Sequence, residues 1–151
     1  MGKIKEKYFC EALAEYAKRL SRYCALEAVE LSPVQLPEKP SESEALAALK
    51  KEAELIRKRI PKNAETVALC VEARPRTSEE FAEYIGRATN AGRPLCFIIG
   101  SSYGLDADLK RECTARLSLS EMTFPHRLFR VMLYEQLYRA FKINEGGSYH
   151  K

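Results

Sequence analysis

Three short apolar runs, at residues 66–71, 95–99 and 117–119, alternate along the chain with segments whose apolar residues recur at helical spacing. A fourth run, residues 25–31, also has the length and composition of a short strand. Strands that are apolar on both faces and alternate with helices are typical of a parallel sheet covered on two sides. We therefore predict an α/β fold, and 151 residues are the size of one such domain.

Two long helices are predicted near the ends of the chain, over residues 6–22 and 127–143. The last helix is apolar around nearly all of its circumference, so it requires burial on more than one side, which favours a dimer. Its large apolar residues are Leu128, Phe129, Val131, Met132, Leu133, Tyr134, Leu137, Tyr138 and Phe141.

Two further helices have recognisable start signals. Ser41, with Glu44 three residues later, predicts a capping box for a helix that ends at Pro61, and Thr77 or Ser78 begins the next helix. The predicted buried face of the first of these helices consists of Leu46, Leu49, Ala53, Ile56 and Ile60.

In parallel α/β sheets, ligands bind beyond the carboxyl ends of the strands. Three segments of this chain lie at such ends, residues 71–74, 100–104 and 120–125, so any small-molecule site should be there. The middle segment, Gly-Ser-Ser-Tyr-Gly, is neither a dinucleotide-binding G-x-G-x-x-G nor a P-loop. Taken alone, it is more typical of a simple strand-to-helix turn.

Composition excludes several classes of protein. The five cysteines are irregularly spaced without a C-x-x-C pair, and there are only two histidines, so neither a disulfide framework nor a zinc site is expected. No nucleophile pattern accompanies the histidines, which argues against a hydrolase triad. The charged N-terminus and the lack of a long apolar run predict a cytoplasmic protein without a membrane partner. The net charge of +4 gives only weak support for a polyanionic partner.

The basic residues of the last helix have two interpretations. Arg127, Arg130, Arg139 and Lys142 form either a solvated helix face or a rim that contacts RNA phosphates. Tyrosines in the same region either pack in the protein or stack on unpaired bases. Residue types and spacing leave both interpretations open.

The last thirty residues contain a more specific pattern. It consists of Met-Thr-Phe-Pro-His at 122–126, Arg-Val at 130–131, Glu-Gln-Leu-Tyr-Arg-Ala-Phe at 135–141 and Tyr-His-Lys at 149–151. Together with Lys-Ile-Lys-Glu-Lys-Tyr at 3–8, this pattern resembles the ribosomal RNA large subunit methyltransferase H family of the SPOUT superfamily. The resemblance extends over almost the whole chain.

This resemblance implies a SPOUT-type parallel-sheet α/β domain whose C-terminal part forms a deep trefoil knot. It also implies a cytoplasmic homodimer that binds S-adenosyl-L-methionine and methylates N3 of a pseudouridine in the 23S ribosomal RNA of the assembled ribosome, without a metal. The positions implied to bind the cofactor are Leu69, Gly100, Ser101, Ser120, Glu121, Met122, Thr123, Phe124 and Pro125.

The resemblance also implies three catalytic residues on the last helix and the tail. The tail, with Tyr149 and His150, would lie near the active site of the partner chain and receive the nucleotide. His150 is the candidate base that takes the proton from N3, and Arg139 is the candidate for positioning a phosphate or the base.

The sequence departs from the family pattern in three places. Ser101 stands where the family has the second glycine of a Gly-Gly pair, and Cys70 stands where it has an acidic residue. Family members begin with a short apolar strand that ends in Val-Gly-Lys, whereas this chain begins Met1-Gly2-Lys3. We therefore expect that the sequence comes from a truncated gene model and that the fold lacks the first strand. We also expect this form to be less stable than one in which the strand is restored.

Two alternative functions remain open. Ser101, Cys70 and the short N-terminus favour a SPOUT-fold RNA-binding protein that has lost catalysis, whereas the intact 120–125 loop and the C-terminal tail oppose it. An unrelated α/β nucleotide-binding protein would require the C-terminal pattern to have arisen by chance.

Overall fold

The computed structural model describes residues 1–147 and Tyr149. Helices and strands alternate over most of this range, which confirms the predicted α/β class. The elements are α1 (Lys7–Leu20), α2 (Glu42–Arg57), β1 (Glu65–Leu69), α3 (Ser78–Asn90), β2 (Leu95–Ile99), α4 (Ala107–Glu112), β3 (Ala115–Leu117) and α5 (His126–Asn144).

The strands form one parallel sheet in the order β2-β1-β3, with β1 in the centre. Leu69 at the end of β1 pairs with Ile99 of β2 and with Leu117 of β3, so the three strands end at the same level. Parallel strands require a crossover connection, and here α3 joins β1 to β2 while α4 joins β2 to β3. The loops that leave these strands therefore start from one edge of the sheet.

Helices pack on both faces of the sheet. Val67 and Leu69 belong to a core cluster with residues of α1, α3 and α5, whereas Ala68 belongs to a second cluster with Ala53 of α2 and Leu109 of α4. Because side chains alternate across a strand, the short strand β1 contributes to both cores. This explains why its sequence is apolar at successive positions.

The helix start signals are confirmed. Ser41 accepts a hydrogen bond from the backbone N–H of Glu44, and the Glu44 carboxylate accepts one from the backbone N–H of Ser41. Thr77 and Glu80 form the same capping box at the start of α3. Each box satisfies two N–H groups that have no partner within the helix.

Two sequence predictions are corrected in this region. The third strand is Ala115–Leu117 rather than 117–119, because its pairing with β1 begins two residues earlier. Leu46, predicted to be buried, is 52% exposed, because the N-terminal half of α2 turns Ala48 to the core, whereas Ala53 and Ile56 are buried as predicted. The buried residues of α2 are Ala48, Glu52, Ala53 and Ile56.

The strand predicted at residues 25–31 is wrong, because this segment pairs with no strand of the described sheet. A groove of about 360 Å³ lies between it and β2, which is an edge strand. At one end of the groove, the α-amino group of Met1 donates to the Ile99 carbonyl at 2.6 Å and the N–H of Gly2 donates to the Leu31 carbonyl at 2.8 Å. Strand composition without a hydrogen-bonding neighbour does not make a strand.

Candidate active site

The strand ends that were predicted to carry a ligand site meet at one edge of the sheet. Cys70 follows the central strand β1, Gly100 follows β2 and Ser118 follows β3. The backbone N–H of Cys70 donates to the Leu117 carbonyl at 3.1 Å, and Pro75 forms a parallel bridge with Ser118, so the pairing of β1 with β3 continues into the loops. The Leu69 side chain is buried in the core, which leaves its main chain as the part nearest this edge.

The turn after β2 is closed tightly on itself. The N–H of Gly104 donates to the Ser101 carbonyl at 3.0 Å, and Gly104 has a φ of +88°, which glycine adopts without strain. A Cβ on Gly100 would lie 2.1 Å from the Gly104 carbonyl oxygen, so only glycine fits at position 100. The start of this turn therefore consists of main-chain groups without a side chain.

The loop after β3 is organised by two serine hydroxyls. The buried Ser118 hydroxyl donates to the Ser120 carbonyl at 2.7 Å, and the Ser120 hydroxyl accepts from the backbone N–H of Met122 at 3.0 Å. This geometry places Met122 on the surface with 70% of its area exposed. The other predicted cofactor-binding side chains of the loop are exposed at Glu121, Thr123 and Pro125 and half-buried at Phe124.

The loop after β1 carries a charge pair beside Cys70. The Lys110 ammonium donates to the Glu72 carboxylate, and this hydrogen bond is the main cause that holds the pKa of Glu72 below its usual range. Burial raises the pKa of the Cys70 thiol, so the thiol stays neutral at pH 7 and does not replace an acidic side chain. Glu72 supplies a negative charge two residues further on.

The predicted catalytic residues lie around α5. Arg139 donates from Nε and Nη2 to Oε1 of Glu135 at 3.0 and 2.6 Å, and the Tyr149 hydroxyl donates to the same oxygen at 3.4 Å. The guanidinium carbon of Arg139 is 4.9 Å from the centre of the Tyr149 ring. Burial, followed by a hydrogen bond with Tyr16, raises the pKa of Tyr149 to about 12. His150 lies outside the described residues.

A cavity of about 350 Å³ is lined both by the end of β3 and by α5. Leu117 and Leu119 come from the β3 side, Glu135 and Gln136 come from α5, and Ser78 comes from the first turn of α3. This volume lies within the range of small-molecule sites. The predicted site residues thus form two groups, the strand-end loops and the residues around α5. The cavity lies beside both groups, at Leu119 before the 120–125 loop and at Glu135, which binds Arg139, but none of the predicted site residues that the structure describes lines it.

Sequence reasoning assigned no role in the candidate site to Ser78, Glu135 or Gln136. A signal was available for Glu135, because a glutamate four residues before Arg139 is placed to form an ion pair on a helix. No local signal links Ser78 to Gln136, because they are 58 positions apart and only the packing of α3 against α5 brings them together.

The described residues contain neither a metal site nor a membrane-spanning helix. Within residues 1–147 and 149, no group of three or more histidine, cysteine or acidic side chains is arranged to hold a metal ion. In the same part of the chain, no helix combines the length and apolarity that crossing a membrane requires.

Comparison with known proteins identifies relatives along the entire chain. Residues 1–150 match the family described as "Predicted SPOUT methyltransferase". A protein of Clostridium perfringens named ribosomal RNA large subunit methyltransferase H 1 is 45% identical over 152 residues, which is 100% of this chain and 96% of that protein. Proteins named ribosomal RNA large subunit methyltransferase H from Clostridium beijerinckii and Bacillus thuringiensis are 45% and 43% identical with the same coverage. This chain therefore belongs to the SPOUT methyltransferase family.

Proposed function

We propose that this protein transfers a methyl group from S-adenosyl-L-methionine to N3 of a pseudouridine in the 23S ribosomal RNA of the large subunit. The names of the relatives supply the class of RNA, and those relatives match the chain along its whole length. The structural observation that carries the proposal is that the Gly100 turn and the 120–125 loop leave the sheet at one edge, from the ends of β2 and β3 on either side of β1. In such sheets this edge is where ligands bind.

The strand-end groups fit this cofactor. The proposed contacts to the cofactor are main-chain groups of Leu69, Gly100, Ser101 and residues 120–125, which follow or end the strands at this edge of the sheet. Such groups hold an adenine and a ribose without special side chains, and the exposed Met122 provides apolar surface. When bound, the cofactor supplies a methyl group already activated on a sulfonium, so the task left to the protein is largely positioning.

The chemistry on the RNA side requires a proton acceptor. A new carbon–nitrogen bond forms at N3, the carbon–sulfur bond of the methyl donor breaks, and the N3 proton leaves. Tyr149 remains protonated at neutral pH because its pKa is raised, and its proton is directed to Glu135, so its proposed role is to present the hydroxyl oxygen to the nucleotide as a hydrogen-bond acceptor. Arg139, held by Glu135, is proposed to position a phosphate or the base, and His150 is the proposed base.

The proposed active form is a cytoplasmic homodimer whose C-terminal segment is threaded as a deep trefoil knot. Support for the dimer comes from α5, because Leu133, Tyr134, Leu137 and Ala140 are buried within the chain while other apolar residues of the helix are buried only in part. Large apolar side chains remain partly accessible on it, and a second copy would complete their burial. These side chains are Leu128, Phe129, Val131, Met132, Tyr138 and Phe141. Sedimentation at twice the 17.2 kDa chain mass is expected, and a monomer at assay concentrations would contradict the dimer.

We also propose that the groove beside β2 accepts one further strand. The N-terminal nitrogen of Met1 donates towards β2 and the N–H of Gly2 donates towards residues 25–31, as successive residues of a strand between two neighbours would. Burial is the main cause that lowers the pKa of the Met1 α-amino group, so a free terminus is unfavourable in this groove.

The test of the function is transfer of a labelled methyl group to ribosomes from cells that lack the modification, followed by mapping of the label. Label at N3 of one pseudouridine supports the proposal. Arg139→Ala should lower the rate, whereas Arg87→Ala should not. Arg87 pairs with Glu83 at the same helical spacing but on the exposed surface of α3, which makes it a matched control.

A second candidate function is RNA binding without catalysis. Ser101 and Cys70 favour it, because they replace a glycine and an acidic residue at the strand ends. Calorimetric titration with S-adenosyl-L-methionine separates the two functions. Binding of the ribosome without any heat from the cofactor would establish the second candidate and exclude the first.

A further inference from the structure

We propose that Glu135 is a positioning residue that fixes the orientation of Arg139 and Tyr149 for methyl transfer. The inference rests on the proposed function, because it assigns a task to a residue that stands behind the groups proposed to meet the nucleotide. We refer to Ser78, Gln136, Glu135, Arg139 and Tyr149 as the Glu135 network.

The two carboxylate oxygens of Glu135 have separate partners. Oε1 accepts the two hydrogen bonds from Arg139 and the one from the Tyr149 hydroxyl. Oε2 accepts from the side-chain amide of Gln136 at 2.6 Å. Arg139 and Tyr149 therefore share one acceptor atom, while the other oxygen is anchored on the helix.

The anchor extends to a different part of the fold. The amide oxygen of Gln136 accepts from the Ser78 hydroxyl at 3.0 Å, and Ser78 is the first residue of α3. Because α3 begins with a complete capping box, Ser78 stands at a fixed point of the backbone. A chain of hydrogen bonds thus connects a rigid helix start with the C-terminal tail, and such chains lock a side chain in one rotamer.

The position of the network in the fold distinguishes it from an ordinary surface ion pair. The side chains of Glu135 and Arg139 are only 18% and 25% exposed. Ser78, Gln136 and Glu135 also line the cavity that begins at the end of β3, next to the 120–125 loop. Ion pairs shielded in this way are less screened by water than the exposed helical pairs of this chain, so the geometry that they impose is stronger.

The tail is held from the other side by aromatic contacts. The Tyr149 ring packs edge-on against Tyr138 with centroids 5.0 Å apart, and Arg139 lies over its face. These contacts fix the plane of the ring, whereas the hydrogen bond to Glu135 fixes the direction of the hydroxyl. Rings alone would allow the hydroxyl proton to point elsewhere, which is why a carboxylate is needed.

The experiment compares Glu135→Ala and Glu135→Gln with Glu145→Ala. Glu145 is a matched control, because it directly follows α5 and likewise accepts from a tyrosine, Tyr23, and a cation, Lys142, both at 3.0 Å. We expect Glu135→Ala to lower kcat by about 10- to 100-fold, the effect of losing hydrogen bonds to a charged group. Glu135→Gln should lower kcat less, because the amide oxygen still accepts. The affinity for S-adenosyl-L-methionine and the KM for ribosomes should change by less than about threefold.

A second readout does not require activity. Removing the Glu135 charge removes one of the influences that raise the pKa of Tyr149, so its phenolate should form at lower pH in Glu135→Gln. The change is measured by ultraviolet titration, with Tyr149→Phe identifying the signal of this residue. The test that decides without activity is geometric: unchanged positions of the Arg139 and Tyr149 side chains in a crystal structure of Glu135→Ala would overturn the inference even if the wild-type protein showed no methyl transfer.

The kcat values of the Glu135 and Glu145 variants also decide the inference. A wild-type kcat in a folded Glu135→Ala protein would overturn the inference, and so would an equal loss of kcat in Glu145→Ala. If Glu135→Ala does not fold, the comparison of Glu135→Gln with Glu145→Ala decides. Absence of transfer by the wild-type protein would refute the proposed function alone.

Discussion

Replacing Gly100 by alanine is the most direct test of the strand-end site. The new Cβ would lie 2.1 Å from the carbonyl oxygen and 2.5 Å from the carbonyl carbon of Gly104. Because Cβ atoms essentially never approach other atoms closer than 3.0 Å, the turn must open by about 0.9 Å. Both colliding atoms belong to the main chain, so no side-chain rotation relieves the contact.

The expected cost follows from this displacement. Forcing an extra methyl group into a closed site destabilises a protein by about 1–3 kcal/mol. In a chain of this size, each kcal/mol lowers Tm by about 2–4 °C. Opening the turn also moves the main chain of Ser101, and a displacement of this order at a ligand site weakens its function by up to about 100-fold. We expect the affinity for S-adenosyl-L-methionine to fall by about 10- to 100-fold.

Thermal denaturation and calorimetric titration with the cofactor measure the two effects on the same preparations. Gly92→Ala is the control, because no atom lies within 4 Å of a Cβ added at Gly92, so its cost comes only from the positive φ of that residue. That substitution should cost about 1–2 kcal/mol in backbone strain and leave the cofactor affinity unchanged. A Gly100→Ala protein with wild-type affinity would refute the reasoning, because the turn would then lie outside the cofactor site.

Three further predictions concern the departures from the family pattern and the tail. Ser101→Gly should raise cofactor affinity and the rate of methyl transfer, and unchanged values in the same titration and assay would mean that the side chain is tolerated. Adding a five-residue apolar strand ahead of Met1 should raise Tm relative to a Gly-Ser extension of equal length, and equal midpoints would contradict the strand proposal. Tyr149 should make stability depend on alkaline pH. Its pKa is raised from 10.0 to about 12 on folding, so its contribution is complete below pH 10 and is lost as the pH rises towards 12. Denaturation midpoints should therefore fall less steeply over this range in Tyr149→Phe, and identical slopes would contradict this.

The parts of the fold that depend on local pattern were predictable from the sequence. Strand β2 lies at Leu95–Ile99, the predicted residues, and both capping boxes begin helices where their spacing indicated. These elements were predictable because their apolar residues and caps act within a few positions of the chain. Residues 25–31 have similar composition and form no strand, because a strand also needs a neighbour, and the groove beside β2 separates the two segments.

Part of the candidate site was also predictable from the sequence, and part was not. The three strand ends were predictable as one location, because parallel strands place their carboxyl ends at the same edge. The reason for glycine at position 100 was not predictable, because it lies in the distance to the Gly104 carbonyl, which only the closed turn defines. The contact between Ser78 and Gln136 was also inaccessible, because it depends on how α3 packs against α5.

The two sides of the candidate active site, the cofactor side and the RNA side, should tolerate substitutions differently. A methyl donor that is already activated needs to be placed rather than polarised, and main-chain groups can place it. We therefore expect Cys70 and Ser101 to reduce methyl transfer without abolishing it, whereas Gly100 is fixed by the closure of its own turn. On the RNA side the opposite holds, because removing a proton and orienting a nucleotide require particular side chains. We therefore expect substitutions around Glu135 to lower kcat without changing cofactor affinity, and substitutions in the Gly100 turn to weaken cofactor binding first.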